Sequence, residues 1–298
     1  MTSTDCLFRM TSAALLLGLG ACQTAGVSPG TGSQVKPPEV GVMVGAGDIA
    51  SCESDRDEAT AALLERLEGT VFTLGDHAYP DGTPEDFERC YAPSWGRHKQ
   101  RTRPTPGNHE YHSARAEPYF DYFGAAAGAR GKGYYSYEVG TWHVVVLNSQ
   151  VPMGPGSEQE QWLREDLDAN PSQCTLAYWH RPLFSSGPER DTGDVKALWD
   201  VLYEAGADVV LGGHDHFYER FAPQTPEGRV DTERGLRQFV VGTGGMTLYP
   251  LGPVAANSEV REANTHGLLK LTLEEGAYAW EFLAVEGDFK DEGRGTCH

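Results

Sequence analysis

The hydrophobic positions of the chain recur in two periods. Val40 to Ala46 is a short apolar run closed by Gly47 and Asp48, and Thr70 to Leu74 is another, closed by Gly75 and Asp76; runs of this length bounded by turn residues predict buried strands. Between them Thr60, Leu63, Leu64 and Leu67 stand at i, i+3, i+4 and i+7, one face of a helix. Tyr134 to Val139 and Trp142 to Leu147, separated by Gly140-Thr141, predict a hairpin. Ser157 then caps a predicted helix carrying Trp162, Leu163 and Leu167. Thr175 to Trp179 and Ala207 to Leu211 predict strands on either side of a helix capped by Asp194, with Val195, Leu198, Trp199 and Leu202 on one face. The last third is strand-rich, with runs at Gln238–Val241, Leu268–Leu273 and Ala277–Ala284. Strands that alternate with helices first and cluster later predict an α/β (α+β) fold, a mixed-sheet sandwich covered by helices. No internal repeat interrupts it, and residues 39–298 read as one domain.

Composition narrows the function. With 39% hydrophobic residues and 36 glycines in 298, the chain can bury a sizeable core and is too apolar for a disordered polyanion. Its 43 acids against 24 bases give a formal charge of −19, a field that opposes binding to phosphate backbones and excludes nucleic acid as a partner. No apolar run reaches the roughly 18 to 20 residues needed to span a bilayer, so any membrane link must be an anchor.

The N-terminus offers one. Arg9 precedes an apolar run, Ala13 to Leu19, that ends in Leu19-Gly20-Ala21-Cys22; its length and flanks suit a signal peptide over residues 1–22. The Leu-Gly-Ala-Cys run resembles a bacterial lipobox. That resemblance implies cleavage before Cys22, lipidation of its thiol and attachment to a bacterial membrane, the outer one if Gln23 is read as the sorting residue; an ordinary signal cleaved elsewhere would leave the protein periplasmic or secreted. Residues 23–38, rich in Gly, Ser, Thr and Pro, read as a flexible tether. Removing residues 1–22 takes away one acid, Asp5, and one base, Arg9, so the charge belongs to the domain.

Setting aside Cys6 and Cys22 leaves Cys52, Cys90, Cys174 and Cys297, an even number that favours disulfides in an exported chain. Three connectivities are open. Cys52–Cys90 with Cys174–Cys297 is favoured, because Cys52 and Cys90 both follow closely on strand-end motifs and the second pair would fasten the C-terminus to an internal strand.

Ligand-capable residues stand immediately after the predicted strands: Asp48 in GAGDIA, Asp76 and Tyr79 in LGDHAYPDG, Asn108, His109 and Glu110 in PGNHE, His180 in AYWHRP, and His214 and His216 in GGHDHFYER. In open α/β sheets the ligand crevice lies beyond the strand ends, so dispersed residues can converge there. Carboxylate, phenolate and amide oxygens mixed with imidazoles suit iron, manganese or zinc. The two histidines of His-x-His can face one site, since alternate residues of an extended chain share a side.

In this order GD, GDxxY, GNHE, a strand-terminal histidine and GHxH resemble the calcineurin-like metallophosphoesterases, and the tyrosine resembles their purple acid phosphatase branch. The resemblance implies a four-layer αββα sandwich of two mixed sheets flanked by helices. It also implies two metal ions, Fe(III) with a divalent Fe, Zn or Mn. Asp48, Asp76, Tyr79 and His216 would hold the first, Asp76, Asn108, His180 and His214 the second, with Asp76 as the bridge. Position 50 is Ala50 where the wider superfamily often has histidine, so Tyr79 must fill that role. The implied reaction is in-line attack of a metal-bound hydroxide on a phosphate monoester, with His109 as the acid or phosphate contact. His77, Glu110 and Arg181 are further expected substrate contacts, Glu110 also as a group that orients His109. The metals fix the reaction class and the pocket walls choose the ester, so a phosphodiesterase or nucleotide hydrolase is the alternative, and a non-catalytic surface lipoprotein a more distant one.

Overall fold

The computed structural model describes residues 40–188 and 195–298. The expected signal, tether and lipidated Cys22, like the Asp194 cap, lie outside the described residues. In chain order the first half supplies β1 (Gly41–Ala46), β2 (Ala50–Ser51), α1 (Arg56–Leu64), β3 (Thr70–Leu74), β4 (Ala78–Tyr79), α2 (Pro84–Asp86), β5 (Thr102–Thr105) and α3 (Glu117–Phe123). The hairpin β6 (Tyr135–Val139) and β7 (Trp142–Val146) follows, then α4 (Glu158–Ala169), β8 (Thr175–Tyr178), α5 (Val195–Ala205) and β9 (Val209–Gly212). The remainder is strand: β10 (Tyr218–Phe221), β11 (Arg237–Val241), β12 (Ser258–Glu262), β13 (Gly267–Glu274), β14 (Ala277–Ala284) and β15 (Glu292–Thr296).

These strands form a six-stranded sheet, β15-β14-β13-β1-β3-β5, and a seven-stranded sheet, β12-β10-β11-β9-β8-β7-β6. Both are mixed. β1 pairs in parallel with β3 and antiparallel with β13, while β7, β8, β9 and β11 run parallel to one another. Side chains alternate between faces with period two, so one strand serves two cores. Val144, Val146, Leu176, Tyr178, Val209 and Leu211 of the seven-stranded sheet pack toward the other sheet, in one cluster with Met43, Leu74 and Leu271. Their neighbours Val145, Leu147, Ala177, Trp179 and Val210 face outward and are covered by Leu163 of α4 and Leu198, Trp199 and Leu202 of α5. Burial on both faces explains why these strands read as unbroken apolar runs. On the other flank α1 contributes Ala61 and Leu64 and lies against β13. The result is the expected αββα sandwich.

Local chemistry sets the element ends. Ser157 caps α4 by accepting the Glu160 amide at 3.2 Å. Both favoured disulfides are formed, Cys52–Cys90 with Cα atoms 4.9 Å apart and Cys174–Cys297 with 5.4 Å.

One histidine flanked by two carboxylates makes stability depend on pH. His143 on β7 is 1% exposed; its Nδ1 lies 2.7 Å from Glu138 and its Nε2 2.8 Å from Asp166. Burial opposes a charge on the ring, but the two carboxylates outweigh it and raise the pKa above the ordinary histidine value. A raised folded-state pKa contributes stability that is complete below the unfolded value and is lost as pH rises through the folded one. The deficit in melting temperature of His143→Gln relative to wild type is therefore expected to be larger at about pH 5.5 than at about pH 9. Thermal unfolding at the two pH values checks it; equal deficits would show that the ring is neutral in the fold.

Candidate metal centre

Asp48, Asp76 and Asn108 follow the parallel strands β1, β3 and β5, and His180 and His214 follow the parallel strands β8 and β9. Five strand ends therefore deliver polar side chains to one crevice. Three of these residues carry left-handed backbone: Asp48 at φ 59°, Asp76 at φ 50° and His214 at φ 71°. Each such conformation costs a non-glycine residue roughly 1 kcal/mol or more, and at these three positions it falls where the chain turns at a strand end. The glycines of the motifs have a steric reason. A Cβ on Gly107 would stand 2.2 Å from Asp76 Oδ1, and one on Gly75 would stand 2.7 Å from both Gly107 Cα and His180 Nδ1.

The polar atoms fall into two groups that share a corner. In the first, Tyr79 Oη lies 3.1 Å from Asp48 Oδ1, 3.2 Å from Asp76 Oδ2 and 3.2 Å from His216 Nε2, and His216 Nε2 is 3.3 Å from Asp48 Oδ1. In the second, His180 Nε2 lies 3.3 Å from Asp76 Oδ2, 3.0 Å from Asn108 Oδ1 and 3.1 Å from His214 Nδ1. Asp76 Oδ2 belongs to both. Donor atoms held by one ion at roughly 2.0 to 2.2 Å stand about 3 Å apart, which is the spacing within each group. The ring nitrogens facing away are already engaged: His180 Nδ1–H donates to Leu74 O at 2.6 Å and His216 Nδ1–H to Thr247 O at 2.8 Å. Such outer bonds fix the tautomer and aim Nε2 at the centre.

Electrostatics agree with a cation-binding role. Burial pushes the Tyr79 phenol well above its ordinary pKa, and Asp76 and Asp48 push it further, so only a strongly Lewis-acidic cation would make it a phenolate. Burial opposes charge on His180, but Asp76 beside it raises its pKa to about 9. Burial and the neighbouring His180 lower His214 to about 2, leaving a neutral imidazole. Burial would raise Asp76, yet His180 and His109 hold it well below the carboxylate range. Two buried carboxylates that draw a proton onto His180 mark a site of negative potential, which two positive ions would fit. The other grouping of metal-capable side chains among the described residues, Cys174, Asp208 and Cys297, has its sulfurs joined in a disulfide.

His109 stands at the solvent side of the centre. Its Nδ1 is 2.5 Å from Pro80 O, its ring lies 4.3 Å from that of Tyr79, and its Nε2 points inward, 3.8 Å from Asp76 Oδ2. A cavity of about 370 Å³ opens beside Tyr79, His109 and His216.

Two expected substrate contacts are corrected. His77 is fully buried; its Nε2 meets Thr73 Oγ1 at 2.7 Å and its ring sits among Tyr91, Tyr119 and Phe123. The left-handed turn at Asp76 sends this side chain into the core behind the site. Glu110 is also fully buried and accepts the backbone N–H groups of Asp76 at 3.0 Å, His77 at 2.8 Å and Gly107 at 2.7 Å. It binds two ligand loops together and reaches neither solvent nor the His109 ring. Arg181 is partly exposed; its N–H donates to Ser149 Oγ at 3.2 Å, and its positive charge helps lower the pKa of His214.

Residues that sequence reading did not single out also shape the site. Leu74, Pro80 and Thr247 act through carbonyl oxygens, which no side-chain pattern announces. Tyr249 stacks on His216, centroids 4.0 Å apart and planes at 15°.

Known proteins resemble this chain in sequence and fold. The calcineurin-like phosphoesterase family matches residues 43–218. Purple acid phosphatase 15 of Arabidopsis thaliana is 27% identical over 211 residues, covering 58% of this chain and 40% of that protein. Purple acid phosphatase 21 of the same plant is 29% identical over 256 residues, 76% of this chain and 56% of that protein. The chain thus spans about half the length of these curated relatives. Among solved structures, purple acid phosphatase PPD1 from yellow lupin seeds superposes with a TM-score of 0.74 at 18% identity, over 88% of this chain and 55% of that one. With the family match running through more than half of the sequence, the chain belongs to the calcineurin-like phosphoesterase family.

Proposed function

We propose that residues 39–298 form one catalytic domain that hydrolyses phosphate monoesters at a dinuclear metal centre outside the cytoplasm. The observation that carries this reading is the shared corner: Asp76 Oδ2 stands 3.2 Å from Tyr79 Oη and 3.3 Å from His180 Nε2, so one carboxylate oxygen could serve both groups. Asp48, Tyr79 and His216 with Asp76 would hold one ion, and Asn108, His180 and His214 with Asp76 the other. Ions held by these residues would supply an acidified water as nucleophile and positive charge to offset that of the phosphoryl group. The protein's own part is to orient. His109, fixed through Nδ1 to Pro80 O, presents Nε2 to the space above the centre and protonates the departing alkoxide there. Phenolate and carboxylates suit Fe(III) in the first site, and the amide and imidazoles a divalent Fe, Zn or Mn in the second.

The two disulfides fit an oxidising compartment and support export. Among the described residues no helix is long and apolar enough to cross a membrane, and we assign attachment to a lipid on Cys22.

Colour and metal content of the exported protein test the proposal. The expected protein is purple, carries iron and a divalent metal, and loses its visible band in Tyr79→Phe. A colourless zinc or manganese protein that still hydrolyses an aryl phosphate would overturn the Fe(III) assignment alone. A preference for the matching bis-aryl phosphate would overturn the monoester assignment, and absence of metal-dependent turnover would overturn the enzyme reading.

A further inference from the structure

The cavity beside the centre has a floor and a rim of opposite electrical character. Its buried lining is Tyr79 and His216, the former 4% exposed and the latter also 4%, with His109 at their edge. Its outer lining holds three carboxylates, Glu53, Glu85 and Asp86, against one guanidinium, Arg89. That guanidinium is already paired, since Arg89 Nη1 lies 2.7 Å from Glu85 Oε1. Asp86 is tied to the start of α2, its Oδ2 accepting the N–H groups of Thr83 at 3.0 Å and Asp81 at 3.4 Å. Glu53 is exposed and takes part in no ion pair among the described residues. Met246, Tyr249, Pro80 and the Cys52–Cys90 disulfide add apolar surface to the lining, Tyr249 held by its stack on His216.

We infer that this rim sets specificity by the charge of the leaving group. The inference rests on the phosphoesterase reading: the phosphate goes to the cationic centre, so the alcohol it esterifies must lie outward in the cavity, among Glu53, Asp86, Met246 and Tyr249. An ammonium there meets the carboxylate of Glu53, which is in no ion pair among the described residues, the capping carboxylate of Asp86 and an aromatic ring, whereas a carboxylate or second phosphate meets repulsion on desolvation. The substrates that fit are zwitterionic phosphate monoesters of amino alcohols, ahead of esters with neutral alcohols and well ahead of esters that carry further anionic groups. The net charge of −19 acts in the same direction at longer range.

The test compares kcat/KM of the metal-loaded protein on phosphocholine, glycerol 1-phosphate and 3-phosphoglycerate, with 4-nitrophenyl phosphate as the reference. These esters differ chiefly in the charge of the alcohol. The expected order falls from choline to glycerate by roughly tenfold or more at low salt and is compressed at about 0.5 M salt. Glu53→Lys is expected to shrink the choline-to-glycerate ratio several-fold, and Glu53→Gln by less. A flat or reversed order, or a ratio that Glu53→Lys does not move, with 4-nitrophenyl phosphate still hydrolysed, would overturn the inference and leave the phosphoesterase reading standing. If 4-nitrophenyl phosphate itself is not hydrolysed, the phosphoesterase reading falls and takes the inference with it.

Discussion

Asp76→Ala is expected to lower phosphatase turnover by at least about a thousandfold, equivalent to about 4 kcal/mol of transition-state stabilisation, and to leave neither ion tightly bound. The size follows from its position. Asp76 Oδ2 lies within 3.3 Å of both donor groups, so its removal takes a ligand from each proposed site at once. Its other oxygen accepts the His109 N–H at 2.9 Å, so the loop carrying Asn108 and His109 loses its fixed point as well. Replacement of a ligand that serves one group only should be more selective. Tyr79→Phe is expected to bleach the colour and retain the second ion, and His214→Ala to lose the divalent ion and retain iron. Elemental analysis of purified protein, read beside kcat, checks this ordering. An Asp76→Ala protein that keeps both ions would show that the shared corner is an accident of packing.

Most of this centre was legible in the sequence because its residues sit at strand ends, and strand ends are where a glycine next to a polar residue stands out from an apolar run. Thr70–Leu74 and Ala277–Ala284 form as read, and the ligand-capable residues that follow the strands converge as expected. The strands left unread have a physical reason for hiding. β5 and β15 are the two edges of one sheet and β12 is an edge of the other; an edge strand need not be apolar, and Pro104 in β5 is tolerated where a ladder bond is not required. β10 lies inside its sheet but carries Glu219, fully buried, whose carboxylate accepts Ser186 N–H and Oγ–H, which no apolar pattern reveals. His77 and Glu110 were misread for a different reason. Proximity in sequence to Asp76 and His109 places them near the site, but which way they face is decided by backbone torsions at their neighbours. Asp76 at φ 50° turns its carboxylate to the crevice and the next side chain inward.

That inward turn gives Glu110→Ala the largest expected effect on stability of any substitution near the centre. The carboxylate is fully buried and serves three backbone donors, Asp76, His77 and Gly107, while its Oε2 lies 3.4 Å from His77 Nδ1. Burial would raise its pKa, but His77 and the Gly107 N–H more than offset that, and the folded-state value falls below the ordinary one. Alanine leaves the three N–H groups without their acceptor and removes the carboxylate beside the His77 ring, each orphaned donor costing about 1 to 3 kcal/mol and the sum less than additive. A loss of about 3 to 5 kcal/mol is expected, a large share of the roughly 5 to 15 kcal/mol that holds an ordinary domain. Glutamine keeps one carbonyl oxygen but turns an NH2 toward a remaining donor, so Glu110→Gln should lose roughly half as much. Urea unfolding of metal-free protein is the measurement, because lost metal cannot then account for the difference. The sign with pH is set as well: a depressed carboxylate pKa contributes stability above the unfolded value and loses it as pH falls through the folded one. The gap between wild type and Glu110→Gln should therefore be full at about pH 7 and close on acidification through the folded-state pKa. If metal-free Glu110→Ala unfolds at the wild-type midpoint, the two ligand loops are held by their strands alone, and Glu110 is a bystander to the geometry of the centre.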